Sequence, residues 1–166
     1  MREAILEKAN AQLMAGGYKQ LNFAKIASEL ETTRANLHYH FKNKETLGVE
    51  VFRQIGENNI NNFKEMRRNF NGDLLGFFSA VEGFFWQGEC EDGGKVCSSI
   101  MDDPDLPESI AKQSRAIYQT FEEILAGAIQ DAIDNKSITQ DINVAREASR
   151  VHVLMMGLMG ASQYYL

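Results

Sequence analysis

Apolar residues recur every three or four positions along most of this chain, and the alternation that marks strands is missing. The pattern predicts an all-helical protein. Ile5, Ala9 and Leu13 make one stripe on a first helix over about 2–15, and Gly16-Gly17 stops it. Asn22 suits the N-cap of a short second helix over 23–30, with Ile26, Ala27 and Leu30 turned inward. Thr32 or Thr33 caps a third short helix that reaches about His40. Lys44 or Glu45 opens a longer fourth helix to about Asn69, and Asn71-Gly72-Asp73 interrupts the pattern. An aromatic helix follows over 74–87, then a loop over 88–94 and a short helix over 96–101. Asp105, Pro107 and Glu108 read as a capping box for a long helix to about Asp134, and a last helix spans 142–164.

Two short helices, separated only by residues 31–33 and preceded by a first helix, make a helix-turn-helix over about 22–41. The fold class expected is therefore all-α. A three-helix helix-turn-helix DNA-binding domain spans residues 1–46, and a helical ligand-binding and dimerisation domain spans 47–166.

Charge changes this picture in one respect. The net charge of −6 looks wrong for a partner of nucleic acid, but it is unevenly spread. Residues 1–53 carry eight Lys/Arg and six Asp/Glu, a net +2, whereas residues 54–166 carry nine and seventeen, a net −8. Only the first part suits a polyanion. With 44% apolar residues the chain can bury a core. The longest apolar run, 153–161, is too short to cross a bilayer, and no signal-like leader opens the sequence, so a cytoplasmic location and no membrane partner are expected. Cys90 and Cys97 make neither a disulfide framework nor a zinc site, and His38 and His40 have no third ligand nearby. No metal or cofactor is implied.

The third helix carries the chemistry. Leu37 and Phe41 point to the core, which leaves Thr33, Arg34, Asn36, His38, Tyr39 and His40 on the other faces. These side chains can read base edges or hold phosphates. Arg34 can meet two guanine acceptors at once, and Asn36 can pair with adenine. Lys44 begins the next helix, where its charge and the backbone amides both suit a phosphate.

Over about 30 residues the chain resembles the DNA-binding domain of the tetracycline-repressor (TetR) family of bacterial regulators. The matching features are Gly17-Tyr18, Phe23-Ala24-Lys25-Ile26-Ala27, and the run from Leu37 through His38-Tyr39-His40-Phe41-Lys42-Asn43-Lys44-Glu45-Thr46 to Leu47. The resemblance implies a homodimer on a palindromic operator, with repression as the default output. Position by position it implies that Lys25 touches backbone, that Thr33, Arg34, Asn36 and His38 read bases, and that Tyr39, His40 and Lys44 grip phosphates. Many members carry a basic arm ahead of the first helix, and the expectation here is either that the arm is absent or that only Arg2 is left to do its work.

In the last helix Val144, Ala148, Val151, Met155, Leu158, Ser162 and Tyr165 follow a four-three rhythm, and Gly157, Gly160 and Ala161 are small. This stripe either seats a partner helix or packs inside the protomer. A dimer interface formed by Ile117, Ile124, Val151, Met155, Leu158 and Ser162 is expected. Phe63, Phe70, Phe77 and Phe84 are spaced by seven. A pocket for a small apolar or aromatic effector is expected from Phe63, Phe77, Phe78, Phe84, Trp86, Met101, Tyr118, Phe121 and Met155, although each alone reads equally as core. Such an effector would shift the fourth helix and change the spacing of two recognition helices.

Two alternatives stand beside this reading. Cys90 and Cys97 could sense oxidants, although Glu89, Glu91 and Asp92 disfavour a reactive thiolate. A helical protein-interaction adaptor is the other. Phosphate loops, nucleophile elbows and zinc-protease pairs are missing, so no enzyme is expected, and His152 reads as a packing residue.

Overall fold

The computed structural model of the chain describes residues 1–84, 106–139 and 141–165, with side chains in the last stretch as far as Leu158. Among the described residues every regular element is helical. These are α1 Arg2–Gly16, a 3-10 turn at Tyr18–Gln20, α2 Phe23–Glu29, α3 Arg34–His40, α4 Lys44–Phe70, α5 Leu74–Phe84, α6 Glu108–Asp134 and α7 Val144–Tyr165. The expected loop over 88–94, the helix over 96–101 and the Asp105 cap lie outside the described residues.

A helix of seven residues is marginal by itself, and local side-chain bonds hold these ones. Gly17 has φ 78° and its N–H donates to Leu13 O at 2.7 Å, which ends α1. Asn22 Oδ1 accepts from the N–H groups of Ala24 (2.8 Å) and Lys25 (3.2 Å) and starts α2. Thr33 Oγ1 accepts from Asn36 N–H at 3.2 Å and starts α3. Asn43 and Thr46 form a reciprocal capping box at α4: Asn43 Oδ1 accepts from Thr46 N–H (2.8 Å), and Thr46 Oγ1 accepts from Asn43 N–H (3.1 Å). Each cap is worth about 1 kcal/mol.

The start of α6 differs from the expected capping box. Helix begins at Glu108, and Pro107 is the extended residue before it (ψ 136°), with no side-chain cap. Leu106 packs on the amino-terminal core, and Ser109 Oγ donates to Glu45 Oε1 at 2.5 Å, so tertiary contacts set this end.

Two buried clusters organise the molecule. The first joins α1, α2, α3, the opening turns of α4 (Leu47, Val51, Phe52) and Ile110 of α6. The second joins Phe63 of α4, Phe77 and Val81 of α5, the α6 positions from Phe121 to Ile133, and Ala148 of α7. Helices α4 and α6 are both 27 residues long, or about 40 Å. They run parallel and level. Glu45 meets Ser109, Arg67 meets Asp131, and Asn71 meets Asn135, each pair 64 residues apart. Glycines let the pair approach: a Cβ at Gly56 would lie 2.1 Å from Ile117 Cδ1, and one at Gly127 would strike the Arg67 guanidinium. Helix α7 then returns along α6, where His152 meets Glu122.

Candidate nucleic-acid interface and regulatory core

The buried side of α3 is Leu37, followed by Phe41 just past its end, as expected from their four-residue spacing. With that side fixed, Thr33, Arg34, His38 and Tyr39 are exposed, and Asn36 and His40 are half-buried. Tyr39 is 85% exposed, with its ring edge-on to His40 at 5.2 Å. Lys25 is exposed on the first turn of α2, across the short turn that separates the two helices. That turn needs one residue in the left-handed region, and Glu31 takes it at φ 50°.

Three of these side chains have internal commitments that the sequence did not reveal. Asn36 Nδ2 donates to Thr32 Oγ1 at 2.9 Å, so the amide expected to read adenine is tied back to the turn. His38 Nδ1 bonds Lys42 O at 3.1 Å and its ring lies 4.9 Å from Phe23, which braces the end of α3 and leaves Nε2 for a partner. Lys44 Nζ sits 4.5 Å over the Tyr18 ring and donates to Lys19 O at 3.3 Å. The 3-10 turn therefore aims the Lys44 cation beside α3.

Arg2 is turned the other way. Its guanidinium donates to Glu50 Oε1 at 2.9 Å and lies 5.1 Å over the Phe41 ring, so it ties α1 to α4 instead of standing free as an arm. Arg53 completes the network by bonding both Glu50 and Glu57. Arg53, then Arg2, hold the Glu50 carboxyl down at about 2, from the usual 4.5. Deeper along α4, Arg67 makes a bidentate pair with Asp131 (2.7 and 3.0 Å), and that carboxylate raises the guanidinium's pKa further.

The carboxy-terminal candidates divide between a buried cluster and an exposed face. Phe63, Phe77 and Phe121 are buried, and Phe78, Phe84 and Met155 pack against the same cluster. The rings of Phe63 and Phe121 stand 4.5 Å apart, and those of Phe63 and Phe84 5.4 Å. Among the described residues these belong to one buried cluster. A groove of about 700 Å³ lies elsewhere, lined by polar residues of α4 and α6 with Ile60 and Ile117. Trp86, Met101, Cys90 and Cys97 lie outside the described residues, as does the side chain of Ser162. Part of the expected dimer stripe faces inward, while its member Leu158 is exposed. Ile124 and Ala148 are buried in the second cluster, and Val144, Val151 and Met155 pack on it. What α7 leaves exposed is Val153, Leu154 and Leu158, with open space at Gly157. Ile117 is half-buried against Gly56.

His152 makes a polar contact in addition to packing. His152 is buried at 6% exposure, and its Nδ1 lies 3.0 Å from Glu122 Oε1. Its ring is edge-on to Tyr118 (5.6 Å) and Phe121 (5.2 Å). A lone histidine on an apolar stripe gave little signal of this, although Glu122 on the facing helix is the partner to seek.

Three small helices that bury one another's apolar sides, and hold the last with its polar side out, define a helix-turn-helix domain. Residues 5–51 match the family model of bacterial regulatory proteins, tetR family. Over those residues the chain is similar to the amino-terminal domain of that family, and as a whole it has the fold of TetR-family transcriptional regulators. A TetR-family regulator from Agrobacterium tumefaciens superposes with a TM-score of 0.81 at 20% identity, over 98% of this chain and 86% of its own. A TetR regulator from Legionella pneumophila gives 0.74 at 25% identity, over 99% and 88%. FadR of Bacillus subtilis, in complex with stearoyl-CoA, gives 0.70 at 15% identity, over 97% and 86%. Among curated protein sequences none matches significantly. No helix among the described residues is long and apolar enough to cross a membrane.

Proposed function

We propose that this chain is a transcriptional regulator that grips a palindromic operator as a homodimer and is released by a small apolar or aromatic molecule. Repression is its expected output. The observation that carries the DNA reading is the open face of α3. There Tyr39, a large aromatic side chain, stands in solvent beside Arg34 and His38, on a helix anchored by Leu37 alone. A hydroxyl and a guanidinium on one short helix, with the Lys44 cation at the start of the next, offer donors to phosphates and base edges, and His38 Nε2 offers an acceptor to a base edge. Arg34 is the favoured base reader, because it is exposed whereas Asn36 is half-buried with one amide proton given to Thr32.

Dimerisation is proposed through the exposed apolar positions of α7, namely Val153, Leu154 and Leu158, with Gly157 admitting a close neighbour. The effector belongs at the aromatic cluster joining α4, α6 and α7, since α4 leads from there to the recognition domain. The stearoyl-CoA held by FadR supports an apolar ligand in this fold.

The test is anisotropy titration of operator fragments selected from genomic DNA. Wild type should bind with a steep loss of affinity as salt rises. Tyr39→Ala and Lys44→Ala should each lose about tenfold in affinity with the circular dichroism retained, and Lys44→Ala should lower the salt slope by about one. Unchanged affinity in both variants contradicts the contact assignment, and absence of low-salt binding overturns the reading. In sedimentation equilibrium the wild type should be a dimer and Leu154→Asp a monomer.

A further inference from the structure

The effector site proposed above has a polar anchor, and the anchor states what kind of molecule fits. A carboxylate only accepts hydrogen bonds, so the 3.0 Å contact to Glu122 places the proton of the neutral His152 ring on Nδ1. Glu122, on α6, is itself held from α7, where Ser149 Oγ donates to its other oxygen at 3.4 Å. Nε2 is then a bare lone pair. It is buried, and no donor among the described residues reaches it. The groups next to it are aromatic: the rings of Tyr118 and Phe121, with Phe63 behind Phe121. A buried acceptor without a donor is a standing penalty that a ligand hydroxyl would remove. The adjacent Glu122 charge disfavours an anionic ligand at the same place.

We infer that His152, oriented by Glu122, is the recognition residue of an effector site for hydroxyl-bearing aromatic molecules, with Nε2 accepting the hydroxyl proton and the flanking rings stacking on the aromatic body. The inference rests on the effector half of the proposed function and narrows it to phenol-type ligands. His152 is a binding residue, and Glu122 acts through it as a positioning residue. Tyr118, Phe121 and Glu122 lie on α6, the helix whose Ile110 and Ser109 meet the recognition domain, so occupancy against His152 of α7 touches an element that both halves share.

The experiment uses full-length protein and three probes of one shape: 2-naphthol (donor), naphthalene (no polar group) and 2-naphthoate (anionic acceptor). Calorimetry should give 2-naphthol about a tenfold advantage over naphthalene, the worth of one good buried hydrogen bond. His152→Phe should abolish the advantage, and the isosteric Glu122→Gln should reduce it part-way by freeing the tautomer. The chain has three histidines, so ¹⁵N-histidine spectra are readable without any variant. The His152 Nε2 resonance should sit at the unprotonated position and move upfield with 2-naphthol. Equal affinity for naphthol and naphthalene, a preference for naphthoate, an unmoved Nε2 resonance, or no binding of any probe each overturns the inference. The DNA affinity of the wild type without probe is measured separately. It decides the regulator reading whatever the probes do.

Discussion

The two cores of this molecule are built from different materials. The amino-terminal cluster is mostly aliphatic, with Ile5, Leu13, Ile26, Leu37 and Leu47 fully enclosed, and three short helices meet the start of α4 in it. The carboxy-terminal cluster is dominated by Phe63, Phe77 and Phe121, with Phe70, Phe78 and Phe84 at its edge and a histidine set among them. Small branched side chains in a tight cluster fix one geometry, which suits a helix that must present Arg34 and Tyr39 in register with DNA. Flat rings and a buried acceptor can be rearranged around a guest. The contrast teaches that rigidity and adaptability are divided by residue type, and that α4 and α6 join the two.

The largest expected effect tests the rigid half. Leu37→Ala removes the only fully buried residue of α3 and should cost about 2–5 kcal/mol in thermal unfolding, with operator binding lost. A matched pair sharpens the comparison. Phe41→Met and Phe121→Met are the same change at equally buried sites. Methionine fills irregular gaps, so the aromatic core should lose about 1.5 kcal/mol or less and the aliphatic core clearly more. Equal losses would break the contrast.

The next effect tests the joint. Gly56 lets Ile117 lie against α4, and a methyl there collides with both Cδ1 (2.1 Å) and Cγ1 (2.7 Å). Gly56→Ala should destabilise by about 1–3 kcal/mol, and adding Ile117→Ala should recover part of it. Additive losses would mean that the parallel pair does not meet at this point.

Much of this was legible in the sequence because it is local. The caps at Asn22 and Thr33, the stop at Gly17 and the inward turn of Leu37 and Phe41 all follow from residues within one or two turns. The Asn43–Thr46 box escaped notice because the reciprocal partner is a threonine and not the more familiar glutamate. Three features were out of reach for a tertiary reason. A helix with apolar residues on two sides does not state which one meets its own protomer, so Ala148 and Val151 looked as suitable for a partner as Leu154. The Thr32 bond to Asn36 depends on the turn's geometry at Glu31. The pairing of His152 with Glu122 needs the return of α7 along α6, which no spacing encodes.

The smallest effect belongs to the ion pairs around Glu50, and it concerns the rigid half alone. Glu50 accepts from Arg53 and Arg2, and this depresses its carboxyl to about 2 from the usual 4.5. A carboxylate held lower in the folded state contributes stability that is complete above pH 4.5 and is lost as pH falls toward 2. The groups lie on the surface, so the contribution is about 1 kcal/mol or less, and salt weakens it. Glu50→Gln should therefore lower Tm slightly at pH 7, and the difference from wild type should close between pH 4.5 and 2. Hydrogen exchange should quicken at the start of α1, where Arg2 loses its anchor, and not in α6. A Tm gap that persists at pH 2, or exchange that quickens equally in both halves, would show that Glu50 acts on the whole molecule and that the amino-terminal core is not the separate unit drawn here.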